Sequence, residues 1–293
     1  MKLKIFFILL SGVISISFAA IFVRFCYDVP PLMIATYRLI FASIIIIAIF
    51  KIRKHSIKKI EKKDIILSII SGIVLSVHFY TWFTSIKLTS VASSVVLVTT
   101  SPIFVGIFSY IFLKEKQNAS IIFGIIFSIL GSVILTLGDI NIANTFDINE
   151  KALIGDMFAI IGAIAAAIYI MIGSKVRERV DIVPYITITY TSSAITLLFV
   201  ALLTNQKFFT YQPSSYLFML MLAVIPQLIG HTSLNWALKH LKSSMVAITT
   251  LGEPIGSAIL AYFFFRETID KFQFIGIILI FIAIITASKK GAK

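Results

Sequence analysis

The stretch PQLIGHTSLNWALKHLKSSMVAITTLGEPIGSAILAYFFFRET, Pro226 to Thr268, contains two long apolar runs joined by a short basic connection from Lys239 to Lys242. A helix crossing the hydrocarbon core of a bilayer needs ~20 mostly apolar residues, and each run supplies about that many once the first is followed back to Ser214. Within the second run stands Gly252-Glu253-Pro254. A charged side chain at mid-membrane costs on the order of 2.5 to 3.5 kcal/mol on insertion scales, so it normally faces a bundle interior or a wet cavity. The stretch therefore reads as two spans of a helical bundle with a polar interior.

The same pattern fills the rest of the chain. Of 293 residues, 59% are hydrophobic and 13% charged, and the mean hydropathy is +1.02, well outside the range of soluble domains. Ten apolar runs are expected to span: Ile5 to Val23, Pro31 to Phe50, Asp64 to Ser85, Ala92 to Leu113, Ala119 to Leu137, Leu153 to Gly173, Val183 to Leu203, Ser214 to Leu238, Ser244 to Phe265 and Phe272 to Ala287. Connections are short, the longest being Gly138 to Ala152, and leave no room for a soluble domain. The basic start and apolar run of the N-terminus also suit a signal peptide. Ser17-Phe18-Ala19 is a poor cleavage site, however, and an uncleaved first span is expected.

The net charge of +13 could point to nucleic acid, but the Lys and Arg residues sit in gaps between spans, where they set topology. Nineteen fall on the side that holds both termini and six on the other. Both termini are thus predicted cytoplasmic, in the plasma (inner) membrane, with no nucleic-acid partner. The acidic group Asp139, Asp147, Glu150 and Asp156 then lies outside, as a solvated loop face. The lone Cys26 excludes an internal disulfide and a cysteine-rich metal site, and neither metal nor cofactor is expected.

An offset of 152 residues superimposes Pro102 on Pro254, Tyr110 on Tyr262, Glu115 on Glu267 and Gly124 on Gly276. Aliphatic coincidences are common in such a composition, whereas Pro, Tyr, Glu and Gly in register are not. The matched segments are the fourth and ninth spans, five apart, so the copies must be oppositely oriented. This predicts an inverted repeat of five plus five helices, residues 1–138 and 152–293 joined by an external linker, 139–151. In secondary transporters that arrangement places the substrate site near the midplane, between the halves.

The two copies resemble the paired EamA domains of the drug/metabolite transporter superfamily. The residues that carry the resemblance are SPIFVGIFSYIFLKEK before Gly124, EPIGSAILAYFFFRET before Gly276, and GDMFAIIGAIAAAIYI from Gly155. It covers nearly the whole chain, and its specificity lies in the combination. One departure is Ala166, where many relatives carry Trp. The resemblance implies export or exchange of small metabolites, amino acids or drugs.

Polar residues within the spans are the candidates for the site. Glu253, about nine residues into its span, could couple protons or bind a substrate amine; alternatively, bonded to Thr249 or to backbone freed by Pro254, it could brace a helix break. Its counterpart is Ser101, so the carboxylate breaks the symmetry. Gln227, His231 and Asn235 recur every fourth residue on one helix face. His78 and Trp82 form a similar wall on the third span, and with a one-residue slip His78 aligns with His231. Each histidine could instead serve as an interhelical hydrogen-bond donor. Arg38, after Tyr37, could hold a substrate carboxylate in a bidentate fork, pair with an acid, or snorkel outward. Arg24 and Asp156 read as boundary residues or an external gate. Small residues recurring every fourth position, Ser11/Ser15/Ala19, Ala159/Ala163/Ala167 and Gly252/Gly256, read as packing faces, while Pro102 and Pro254 are candidate hinges.

The leading expectation is a secondary transporter that works by alternating access on a small-molecule substrate, with protons as a candidate coupling partner. Its cavity would be lined by Tyr37, Arg38, His78, Trp82, Gln227, His231, Asn235 and Glu253. A passive channel or facilitator is the alternative. An integral-membrane enzyme is disfavoured, because the chain has no His-Glu-x-x-His pair, no Gly-x-Ser-x-Gly turn and no paired carboxylates in one helix.

Overall fold

The computed structural model describes residues 2–89, 91–114, 119–137, 150–266 and 271–288. The expected Glu115/Glu267 register, Asp139, Asp147 and most of the 139–151 linker lie outside these residues. Every regular element among the described residues is helical: α1 (Lys2–Phe25), α2 (Pro31–Ile52), α3 (Lys62–Leu88), α4 (Val91–Val98), α5 (Ser101–Leu113), α6 (Ala119–Leu137), α7 (Glu150–Val176), α8 (Ile182–Leu203), α9 (Pro213–Leu222), α10 (Thr232–Ala237), α11 (Ser243–Thr249), α12 (Gly252–Phe265) and α13 (Lys271–Ser288). A single 3-10 turn, Ile57–Lys59, precedes α3, and a π segment, Ala223–His231, joins α9 to α10. In hydrocarbon the backbone must satisfy its own hydrogen bonds, which is why the spans are helical. The many hydroxyls follow suit by bonding back along their own helices, as Thr36 does to the Leu32 carbonyl, Ser68 to Asp64 and Thr187 to Val183.

Among the described residues, eight helices or end-to-end helix pairs are long and apolar enough to cross a membrane: Leu3–Phe25, Pro31–Ile52, Lys62–Leu88, Ser93–Phe112, Glu150–Val176, Ile182–Leu203, Pro213–Ala237 and Ser243–Phe265. The two remaining expected spans form α6 and α13, which pack on each other. The helix pairings obey a two-fold exchange of the copies. α1 lies on the π segment as α7 lies on α3; α1 meets α12 as α7 meets α5; α2 meets α8, and α6 meets α13, across the axis.

The contacts also show which way each copy runs. At one face Lys87 Nζ reaches the Cys26 carbonyl at 2.7 Å, Asp28 accepts from the start of α9, and Arg24 lies over Phe265. At the other, Arg179 pairs with Asp64, Lys239 with Asp181, and Lys4 lies over Trp236. Thus α1 runs from the second face to the first. α7 runs from the first, where Gly155 packs beside Leu88 and Thr89, to the second at Arg177.

Even the helix ends repeat. Among the described residues, the non-glycine residues with positive φ are Lys54, Lys114, Asn205 and Arg266, and they form two symmetric pairs. Lys54 and Asn205, 151 residues apart, close the same Schellman cap: His55 N to Phe50 O and Lys54 N to Lys51 O recur as Gln206 N to Ala201 O and Asn205 N to Leu202 O. Lys114 and Arg266, 152 apart, end α5 and α12 in the same way. The offset grows by one between the starts of α3/α9 and those of α4/α11, an interval containing the π segment, whose wider turn absorbs an added residue.

Close helix approach occurs where the sequence places small residues. A Cβ on Gly230 would come within 2.6 Å of Ile16 Cγ2, and one on Gly12 within 2.9 Å of Ser233 Cβ, so α1 and the π segment touch nearly backbone to backbone. Of the three small-residue stripes, Ala159/Ala163/Ala167 is completely buried and Gly252/Gly256 packs on Val13 and Ser17 of α1, but Ser11 is exposed. Both prolines sit just after a break rather than kinking a continuous helix. α4 stops at Val98 and Pro102 opens α5; α11 stops at Thr249 and Pro254 lies in the first turn of α12. In that turn proline's missing N–H costs nothing.

Candidate functional site

The polar interior gathers where α2, α3, α7 and the π segment approach one another. Arg38 is fully buried, with its guanidinium 3.9 Å from the Phe79 ring centroid and 5.7 Å from that of Phe83. Its Nε donates to Gln227 Oε1 at 2.9 Å. Nη1 and Nη2 are buried without an acceptor among the described residues, as are Gln227 Nε2 and Trp82 Nε1. These four atoms are all donors. An unsatisfied buried donor costs about 1–3 kcal/mol, so such a cluster suits an acceptor from outside the chain, water or an anionic group.

Beside it, His78 Nδ1 lies 2.9 Å from the Gly162 carbonyl. A carbonyl only accepts, so Nδ1 carries the hydrogen and the neutral ring keeps Nε2 as an acceptor. The expected histidine pair is brought together: the His78 and His231 ring centroids are 6.3 Å apart, Trp82 stacks on His78 at 5.9 Å, and Phe79 meets His231 edge-on at 5.1 Å. Asn235 Nδ2 donates to the His231 carbonyl at 2.8 Å and to the Tyr169 hydroxyl.

Glu253 stands in the first turn of α12, where the helix dipole favours a negative charge. Bracing of the break by Glu253 is not what is found, because Thr249 and Thr250 bond back to the Met245 and Ala247 carbonyls. The carboxylate accepts no hydrogen bond from the described residues. No ion pair joins it to Arg38 among the described residues. Counted from the helix break, Glu253 falls opposite Pro102; counted from the C-caps, opposite Ser101. Neither position holds an acid.

A cavity of about 50 Å³ lies among His78, Trp82, Tyr169, His231, Asn235 and Glu253, with Ala166 and Ser101 on its wall. At ~10–15 Å³ per water it holds a few waters and no metabolite. Loading a solute therefore requires the helices to separate.

Three of the expected site residues are absent from the cavity wall: Arg38 and Gln227, which bond to each other, and Tyr37. The Tyr37 hydroxyl donates to the Phe208 carbonyl at 2.7 Å and its ring meets Tyr216 edge-on, so it braces α2 against the segment before α9. Arg24 and Asp156 remain at the boundary, the latter taking a hydrogen bond from Thr89.

Three interior residues escape sequence reasoning. Tyr169 and Tyr190 close the network around Asn235 and Gln227, Tyr190 through the Gln227 carbonyl at 3.5 Å and Thr232 at 3.3 Å. Arg177, counted as a basic flank, is instead 2% exposed. Its Nε donates to the Asn235 carbonyl at 3.1 Å and its Nη1 to Val180. Burial brings its guanidinium down to about 10, against the opposing pull of nearby Asp181 and Tyr185. Nothing in the spacing separates it from its neighbours Lys175 and Arg179.

The EamA-like transporter family matches residues 3–137 and again residues 153–289. The chain belongs to this family. An uncharacterized transporter of Archaeoglobus fulgidus is 24% identical over 85% of this chain and 84% of its own length. The uncharacterized transporter YyaM of Bacillus subtilis is 27% identical over 84% and 80%. The human solute carrier family 35 member G1 is 27% identical over 61% of this chain and 50% of its own length. A solved crystal structure superposes with a TM-score of 0.79 over 98% of this chain and 96% of that one, at 17% identity, a likeness of fold. The chain is thus a multi-pass membrane transporter, acting on a small molecule from within a lipid bilayer.

Proposed function

We propose that this transporter is a ten-helix secondary carrier of the plasma membrane, with both termini cytoplasmic, that exports or exchanges small metabolites such as amino acids by alternating access. The observation that carries the reading is the pairing of opposite, uncommitted charges in one interior. Among the described residues, Arg38 offers two buried Nη groups with no acceptor, and Glu253 lines the cavity with no donor. A solute bearing both a carboxylate and an amine would satisfy both ends, and the charge-assisted fork at Arg38 would orient it. Glu253 carries either the substrate amine or a coupling proton, so that the two compete for one carboxylate. Pro102 and Pro254, opening helices just after symmetric breaks, act as the hinges about which the second half of each broken span swings.

The test is transport in proteoliposomes with radiolabelled amino acids, with and without a proton gradient, for wild type and Glu253→Gln. The gradient is expected to drive net flux in the wild type, and the variant to retain gradient-independent exchange at most. Equal fluxes in all four conditions would refute the coupling role. Trans-stimulation in counterflow separates a carrier from a passive facilitator.

A further inference from the structure

The internal symmetry joins two interactions at the ends of the bundle, each made by an aspartate carboxylate but with the acid and its donor exchanged between the copies. Asp28, in the connection between α1 and α2, accepts hydrogen bonds at the start of α9: from the Gln212 amide at 2.8 Å and from the Ser215 hydroxyl at 2.5 Å. Arg179, in the connection between α7 and α8, forms a bidentate pair with Asp64 at the start of α3, Nε to Oδ2 at 3.0 Å and Nη2 to Oδ1 at 2.7 Å. Residue 28 maps to 179 and residue 64 to 215 by the same offset of 151. The helices they hold begin at equivalent residues, Lys62 and Pro213, after equivalent extended N-caps, Glu61 and Gln212.

We infer that these are a pair of latches, one at each face of the bundle, each holding shut the path on its own side and each released when the cavity opens there. The inference rests on the carrier reading above. Each latch ties the connection after one copy's first helix to the start of the other copy's third, and so crosses the interface along which the copies must separate. Both are closed here, in agreement with a cavity that admits only water. The chemistry differs between faces. Asp64 is buried, with 2% of its side chain exposed, beneath an Arg179 that is 39% exposed, so opening that face must expose a carboxylate and part a fork. At the other face opening releases one carboxylate from a helix end, where water can replace its donors.

The experiment introduces Ala166→Cys on the cavity wall and labels it with a membrane-impermeant maleimide from either face, using intact cells and inside-out vesicles. The native Cys26 is kept, because its Sγ lies 3.6 Å from the Ser215 carbonyl and its replacement would disturb the first latch; the parent without Ala166→Cys gives the background. Asp28→Ala is expected to raise labelling about three- to tenfold from the Asp28 face alone, and Arg179→Ala by a similar factor from the opposite face alone. Exchanging the chemistry, with Asp28→Arg plus Ser215→Asp, should return labelling to the parental level and excludes simple misfolding. Labelling that rises from one and the same face in both variants, that changes in neither, or that the exchange fails to restore would overturn the latches. Counterflow on the same vesicles reports separately on the carrier reading. Opposite-sided labelling without trans-stimulation would leave the latches standing as gates of a facilitator.

Discussion

Arg38→Met removes the buried guanidinium while keeping an unbranched side chain of similar length. On the protein side two effects oppose each other. The change strands Gln227 Oε1, which now accepts the Nε–H at 2.9 Å, at about 1–3 kcal/mol. It also removes a buried charge that lacks a close counter-ion, which relieves a desolvation cost of comparable size. Net stability should thus move by less than about 2 kcal/mol, visible as a small shift of Tm in detergent. On the substrate side, two charge-assisted hydrogen bonds from Nη1 and Nη2 are lost, each about 1.5–3 kcal/mol. The sum corresponds to roughly 10²- to 10⁴-fold weaker binding. The assay is counterflow in proteoliposomes with the radiolabelled amino acid that the wild type carries, read as the half-saturating concentration. Its decarboxylated amine serves as the control solute, and its transport should not respond to Arg38→Met. Arg38→Lys, which keeps the charge and loses the fork, should fall between the two. An unchanged half-saturating concentration for the amino acid, or equal losses for amino acid and amine, would refute the assignment of the guanidinium to the carboxylate.

Burial pushes the Cys26 thiol up to about 12, against the opposing influence of Lys87, so the thiolate is only about one part in 10⁴ at pH 8; maleimide should leave Cys26 unmodified in folded protein and modify it after denaturation, as mass spectrometry would show. Burial alone would raise the Asp28 carboxyl, but hydrogen bonds from Ser215 and Gln212 outweigh it and hold the group below the usual carboxylate range, aided by Lys87. A group depressed in this way stabilises above its unfolded value of about 3.9 and loses that contribution as pH falls through the folded one. The stability difference between wild type and Asp28→Ala, about 1 kcal/mol by analogy with a helix cap, should therefore be constant from neutrality to about pH 5 and vanish only in stronger acid. Gly230→Ala forces a methyl against Ile16 at the crossing of α1 and the π segment, and should lower stability by about 1–3 kcal/mol in thermal unfolding, with Gly230→Leu failing to fold.

Composition and spacing by themselves determined that this chain is a membrane-embedded helical bundle, because hydrocarbon permits few alternatives to helices for so apolar a chain. They also determined that the bundle is two copies of one unit, because Pro102/Pro254 and Tyr110/Tyr262 keep register where chance would scatter them. Glu253, Arg38, His78 and Gln227 stood out for the same energetic reason: polar groups in apolar runs are expensive and need partners. Which partners they take was not legible, because partners lie on other helices and depend on rotation about each helix axis. One residue along a helix turns a side chain by about 100°, enough to point Tyr37 at Phe208 while Arg38 faces Gln227. The turn that follows α7 likewise buried Arg177 while leaving Arg179 exposed over Asp64, although both look like topology-setting flanks in the sequence. Only the packed structure decided those rotations. With them it decided that Arg38 faces Gln227 while Glu253 lines the cavity, and that the Asp28 and Arg179 contacts stand at symmetric places on opposite faces.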